Sequence, residues 1–285
     1  MGELVESFTG WDHKIPATVG LLLGRPGALT REFLAGRRKR YLSPFQLYVL
    51  ASAVLFLALR TPLPGGKGLV RLTHAREPAA ARTSGHSPAP APGVTPPDTV
   101  HILFALAGGA VQFNSEWDMT DTTGDLERQA RQGPVHARFI ENLRLRWDDV
   151  ERRSSAEASA WAEGLFLGHL GTALSVLVPV FAALCMLLWR RARLFYAEHV
   201  VFAVHTHAQG LVAIALARVA PGRLALIPTA WTLGYLWLAA RRVYAAGRES
   251  RARTTAKVAL LSAVYFVVAG LGLTLTFVAS LLLGG

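Results

Sequence analysis

Arg25-Pro26-Gly27-Ala28-Leu29-Thr30-Arg31-Glu32-Phe33-Leu34-Ala35-Gly36-Arg37-Arg38-Lys39-Arg40-Tyr41 runs through Leu42-Ser43-Pro44 into an apolar stretch that ends at Leu59. Four consecutive cations, Arg37, Arg38, Lys39 and Arg40, stand directly before a run long enough to cross a bilayer. Such a pairing is a topogenic signal, so the chain is expected to be an integral membrane protein with this end in the cytoplasm.

The composition agrees. Of 285 residues 52% are hydrophobic and 17% charged, which is too apolar for a soluble domain of this size. The net charge of +11 raises nucleic acid as a partner. That partner is rejected, because the cations sit at the ends of apolar runs and form no long stripe interleaved with aromatics. The single cysteine, Cys185, lies inside an apolar run, which excludes an intramolecular disulfide and a cysteine zinc site. Glu3 and Glu6 replace the basic start of a secretory signal, so no cleavable leader is expected in Met1 to Gly10.

Five runs are long enough to span the hydrocarbon: 42–60, 165–189, 199–219, 223–240 and 258–282. The predicted fold class is therefore all-α integral membrane, a five-helix transmembrane bundle with a long, partly disordered extracytoplasmic loop. Its parts are a cytoplasmic amphipathic and basic segment (1–41), the first span (42–60), a Pro-rich disordered loop (61–98), a partly helical extracytoplasmic segment (99–164) and a four-helix transmembrane region (165–285). With the amino terminus inside, the inner pieces hold sixteen Lys and Arg, against two, Arg218 and Arg223, in the short outer turn. The long loop holds twelve cations and thirteen acids, and long translocated segments escape the rule. The amino terminus is accordingly placed inside and the carboxyl terminus outside. If Arg218 and Arg223 marked a cytoplasmic turn, the number of spans would instead be even.

Eight prolines between Pro62 and Pro97 cannot support a packed core, which makes 61–98 a tether. Thr99 to Phe113 is apolar but too short to span, leaving a core helix, a strand or an interfacial segment. Phe139, Leu143, Trp147 and Val150 share one helical stripe from about Ala137. Asp118, Asp121 and Asp125 lack the alternating ligands and glycine of a calcium loop and read as a solvated acidic turn. Residues 15–34 read as a short amphipathic helix on the inner surface, interrupted at Pro26-Gly27. The basic cluster behind it either rests on anionic lipid headgroups or only enforces topology. Gly164, Gly168 and Thr172, like Gly272, Thr276 and Ser280, recur at spacing four and permit close helix packing, within one chain or in a homo-oligomer.

Arg25-Pro26-Gly27, Arg31-Glu32-Phe33, Gly36-Arg37-Arg38, Tyr41 and Pro44 together resemble the signature of a bacterial membrane family, domain of unknown function 3667. The resemblance extends to Tyr196-Ala197-Glu198-His199, His205-Thr206-His207 and Arg241-Arg242-Val243-Tyr244. Many members carry a cysteine-rich zinc ribbon before the first motif. Here no cysteine precedes Cys185, so a metal-dependent role of such a head is not carried over. The family implies no activity.

One constellation carries candidate ligand-binding chemistry: Glu198, His199, His205, His207 and Gln209 at the start of the third span. Ionisable groups in a span are costly and usually face protein or water. At 100° per residue Glu198, Phe202, His205 and Gln209 share a stripe, whereas His199 and His207 point elsewhere. That predicts a Glu198/His205/Gln209 seam and opposes a metal held by all three histidines. Gln46, Tyr48, Tyr235, Tyr244 and Tyr265 fall at the same inner depth. The seam either forms a pocket for a metal, haem, lipid headgroup or proton path, or supplies hydrogen bonds between helices. With no nucleophile triad, P-loop or paired carboxylate in the spans, no catalytic residue and no cofactor is assigned. The favoured function is a non-enzymatic scaffold or regulator. The alternative is a small transporter or a haem- or metal-binding membrane protein.

Overall fold

Proline and glycine decide where the first helix stops. In the computed structural model, which describes residues 14–61, 70–74, 100–106, 109–113, 153–245 and 249–283, helix α1 (Lys14–Gly24) is followed at once by α2 (Ala28–Leu34). Between them Gly27 adopts φ 74°, in the left-handed region. The amphipathic segment 15–34 is therefore two helices with a sharp turn, not one.

Helix α2 closes with a Schellman turn. Gly36, at φ 80°, donates its N–H to the Phe33 carbonyl, and Arg37 donates to the Glu32 carbonyl. Helix α3 (Pro44–Arg60) then opens on a capping box. The Gln46 N–H donates to Ser43 Oγ at 3.3 Å, the Ser43 N–H donates to Gln46 Oε1 at 3.0 Å, and Pro44 fills the first turn, where its missing donor costs nothing. Its buried residues Leu47, Ala51, Leu55 and Leu59 recur every fourth position and form one stripe.

Helices α4 (Ser155–Leu188), α5 (Tyr196–Val219), α6 (Leu226–Ala240) and α7 (Arg251–Leu283) complete the helical part. A 3₁₀ turn at Gly222–Ala225 precedes α6 and a π-helical turn at Arg241–Ala245 follows it. Pro228 sits in the first turn of α6, so it starts that helix and does not interrupt it. Pro179 lies inside α4.

By internal packing the chain divides into two units, with the boundaries falling inside α4 and α7. The first holds α1 to α3 with residues 169–276. Its core joins Phe181 and Cys185 of α4, Phe202 of α5, Tyr235 and Ala239 of α6, Tyr244 of the π turn and Leu261 of α7. Rings give this core its shape: Tyr244 stacks on Trp189 at 4.7 Å and meets Phe202 edge-on at 4.9 Å. Helix α5 is the inner helix, packed along α3 and against α6.

Three helical stretches, Ala156–Leu188, Tyr196–Val219 and Arg251–Phe277, are long and apolar enough to cross a membrane. Helix α7 is the least covered: only 11% of its most apolar window is buried, and Leu260, Phe266, Leu271 and Leu275 are exposed. A protein in water rarely leaves such a surface open, whereas hydrocarbon covers it without cost. Helix α3 has 17 residues and α6 has 15, each short of the ~20 that a bilayer core needs.

The second unit adds a small sheet to the helices. Strands β1 (Val70–His74), β2 (Val100–Leu106) and β3 (Gly109–Phe113) form an antiparallel sheet in sequence order, with Val70 opposite Phe104 and Ile102 opposite Phe113. Residues 70–74 fall inside the segment read as a disordered tether. Val-Arg-Leu-Thr-His contains no proline and alternates apolar with polar, which suits a strand. Of the three options for Thr99 to Phe113, the strand is the one adopted. The rest of the proline-rich segment, the acidic turn at Asp118 to Asp125 and the helix from Ala137 lie outside the described residues.

Candidate functional site

The site is the place where α2 docks on α5 and α6. At Gly27 the approach is closest, because a Cβ there would stand 2.8 Å from Ala239 Cα and 2.9 Å from its carbonyl oxygen. Only glycine satisfies both that contact and the positive φ. Arg242 Nη1 donates to the Pro26 carbonyl, and the Gly27 backbone is a hydrogen-bond partner of Tyr235. One turn further along α2, Thr30 Oγ1 and His205 Nδ1 share a 3.0 Å hydrogen bond. Phe33 meets the same imidazole edge-on at 5.2 Å. Pro26, Gly27, Thr30 and Phe33 are thus the inward face of the motif, spaced as one side of a helix and its leading turn.

The outward face is fastened to itself. Arg37 grips the Glu32 carboxylate through two nitrogens, Nε to Oε2 at 2.6 Å and Nη2 to Oε1 at 2.7 Å. This fork holds the Glu32 carboxyl below its usual range and the Arg37 guanidinium above its own. Arg38 Nε donates to the Phe33 carbonyl at 3.3 Å. Of the four cations assigned to the membrane surface, Arg37 and Arg38 therefore carry structural bonds. Lys39 and Arg40 are exposed and make no hydrogen bond among the described residues.

The three histidines of α5 turn to three different partners. His199 Nδ1 and the Tyr244 hydroxyl lie 3.0 Å apart, with their rings stacked. His205 turns to Thr30, as above. His207 Nδ1 lies 2.8 Å from the Ala203 carbonyl and can only donate there, so its Nε2 accepts from the Tyr265 hydroxyl at 2.6 Å. No group of three or more His, Cys, Asp or Glu converges among the described residues as a metal site requires.

Glu198 does not join His205. Its carboxylate accepts the Phe195 N–H at 2.7 Å and so caps the start of its own helix. The expected three-member seam reduces to His205 and Gln209, one turn apart on α5 and both buried. His205 Nε2 and both ends of the Gln209 amide have no hydrogen-bond partner among the described residues. Gln46, expected at the same depth, is held in the capping box of α3.

These contacts make the Arg25 to Tyr41 motif a docking element whose composition is explained residue by residue. Its match to known proteins covers the same stretch: residues 12–56 match the family described as Protein of unknown function (DUF3667). No curated protein and no solved structure matches the chain. The DUF3667 segment takes in α1, α2, the basic turn and most of α3. His205 and Arg242, which hold it in place, lie beyond its end.

Sequence reasoning missed Thr30, Ala239 and the role of Arg242. Thr30 carried a faint signal, as a hydroxyl within an otherwise apolar and charged motif. Ala239 carried none, since a small residue in an apolar helix announces no partner.

Proposed function

We propose that this protein is a non-enzymatic scaffold of the bacterial inner membrane, built on five spans, with its DUF3667 segment on the cytoplasmic side and its carboxyl terminus outside. The observation that carries this reading is the docking of α2. The polar and special residues of the motif, Gly27, Thr30, Glu32 and Arg37, are committed to holding the segment's own shape and fastening it to α5 and α6. A motif built for chemistry would direct those groups toward a substrate. Helices α3 and α6 join the three longer ones as spans in this reading, with Arg60 reaching to the interface from the end of α3. The exposed cations of the basic turn meet anionic headgroups.

A second reading rests on His205 and Gln209, whose unpartnered buried atoms suit a small polar ligand or a haem or metal on the imidazole. A visible spectrum and metal analysis of the purified protein, with His205→Leu alongside, separates the two. Under the scaffold reading both samples are colourless and metal-free, and the variant stays folded, losing about 1 kcal/mol for one hydrogen bond. Stoichiometric haem or metal that disappears in the variant overturns it in favour of a cofactor protein.

A further inference from the structure

Beside the docking face, α1 and the basic turn enclose a groove of about 400 Å³. Ala17, Gly20 and Gly24 form part of its wall, at spacings of three and four that place them on one side of α1. A Cβ added at Gly20 or Gly24 would meet nothing within 4 Å, so missing side chains shape this wall. Arg25, Arg40 and Tyr41 line it as well.

The groove has fixed sides. Thr18, fully buried, donates to the Lys14 carbonyl at 2.6 Å and accepts the Leu42 N–H at 3.0 Å, tying the end of the basic turn to α1. The Schellman turn at Gly36 and the Arg37–Glu32 fork fix the other end of that turn. The cations around the motif divide accordingly. Arg37, Arg38 and Arg242 are hydrogen-bonded to protein. Arg25 and Arg40 are exposed and line the groove, and their side chains make no hydrogen bond or close ion pair among the described residues. Glu32 feels the charge of Arg40, but both its oxygens are taken by Arg37.

From this we infer that the groove is a binding site for an anionic glycerophospholipid, whose phosphodiester is held by Arg25 and Arg40 and whose glycerol and first methylenes lie along Ala17, Gly20 and Gly24. The charge calls for an anion, and two guanidiniums suit phosphate oxygens by their fork geometry. A phosphate alone has no use for the apolar wall. The volume falls within the range of small-molecule pockets. The groove also lies beside the start of α3, where the proposed first span meets the headgroups. The inference rests on the membrane-scaffold reading and gives it a specific lipid contact.

The test uses the full chain in detergent, titrated with short-chain phosphatidylglycerol. Wild type binds it saturably, and Arg25→Gln/Arg40→Gln weakens binding roughly thirtyfold, the product of two near-surface cations. Arg31→Gln/Lys39→Gln removes the same charge elsewhere in the motif and changes affinity less than about threefold. Gly24→Leu keeps every charge but fills the groove, and weakens binding about tenfold. Equal losses in the two charge variants, or full affinity in a folded Gly24→Leu, overturn the site. So does inorganic phosphate if it displaces the lipid with the same dependence on Arg25 and Arg40. Carbonate-washed membranes of each variant are probed for the protein in parallel. Loss of wild-type chain from the membrane refutes the scaffold reading itself, whereas a retained chain with unchanged lipid affinity refutes only the groove.

Discussion

Gly27 and Gly36 share a left-handed backbone, with φ of 74° and 80°, but their surroundings differ. At Gly36 an added Cβ meets nothing within 4 Å, while at Gly27 it meets the backbone of Ala239. Alanine at Gly36 should therefore cost only the conformational term, about 1 kcal/mol. Alanine at Gly27 should cost about 3 kcal/mol, because α2 must also move off α6. Thermal melts of both variants in detergent check the order, and equal losses would mean that α2 is not seated on Ala239. The sequence marked Pro26-Gly27 as an interruption but gave no sign of the turn at Gly36, and the partner at Ala239 lies some two hundred residues away and leaves no local trace. The same holds for His205. Its burial on α5 was legible from a polar stripe along that helix, whereas its partner Thr30 was not.

At the scale of elements, the fork between Glu32 and Arg37 closes α2 twice, once through the backbone and once through side chains. It should make the stability of the docked segment depend on pH. Glu32 has its folded pKa below the unfolded value, so its contribution is present above the ordinary carboxylate range and is lost as pH falls through the lowered folded value. The melting difference between wild type and Arg37→Gln should be fully present at neutral pH and shrink as pH falls below the ordinary carboxylate range. A difference that stays constant over that window would mean that the Arg37 side chain acts independently of the Glu32 charge. The fork spans five residues across a turn, so helical periodicity, which pairs residues three or four apart, did not disclose it. Turn chemistry was likewise why α1 and α2 read as one interrupted helix. The sheet escaped notice for another reason: β1 pairs with a strand some thirty residues later, across a proline-rich stretch whose composition dominates any local signal.

For the whole molecule the open quantity is the number of spans, and it fixes the side on which every exposed group lies. Helices α4, α5 and α7 are long enough without help. At 1.5 Å per residue, the 17 residues of α3 reach ~26 Å and the 15 of α6 ~23 Å, against a hydrocarbon core of ~30 Å. The 3₁₀ turn before α6 and the π turn after it extend that helical stretch to Gly222–Ala245, and α3 ends on Arg60, whose long side chain can reach the headgroups. Sequence windows hid this shortfall, because hydropathy averages over residues that the cap at Ser43 excludes from α3 and that the 3₁₀ turn Gly222–Ala225 takes from the start of α6. Counting three or five spans gives opposite answers for one pair of positions. With five, Lys39 faces the cytoplasm and Ala220 the outside. With three, α3 does not cross, and Lys39 shares a side with the start of α4 and hence with Ala220. The experiment replaces Cys185, the only cysteine, with alanine and introduces Lys39→Cys or Ala220→Cys in turn. An impermeant maleimide applied to intact cells should label Ala220→Cys and spare Lys39→Cys until the membrane is opened. Labelling of both from the same side would exclude five spans. It would also exclude the placement of Arg25 and Arg40 on the leaflet opposite Ala220, which the sixteen-to-two distribution of cations between the inner segments and the short outer turn supports.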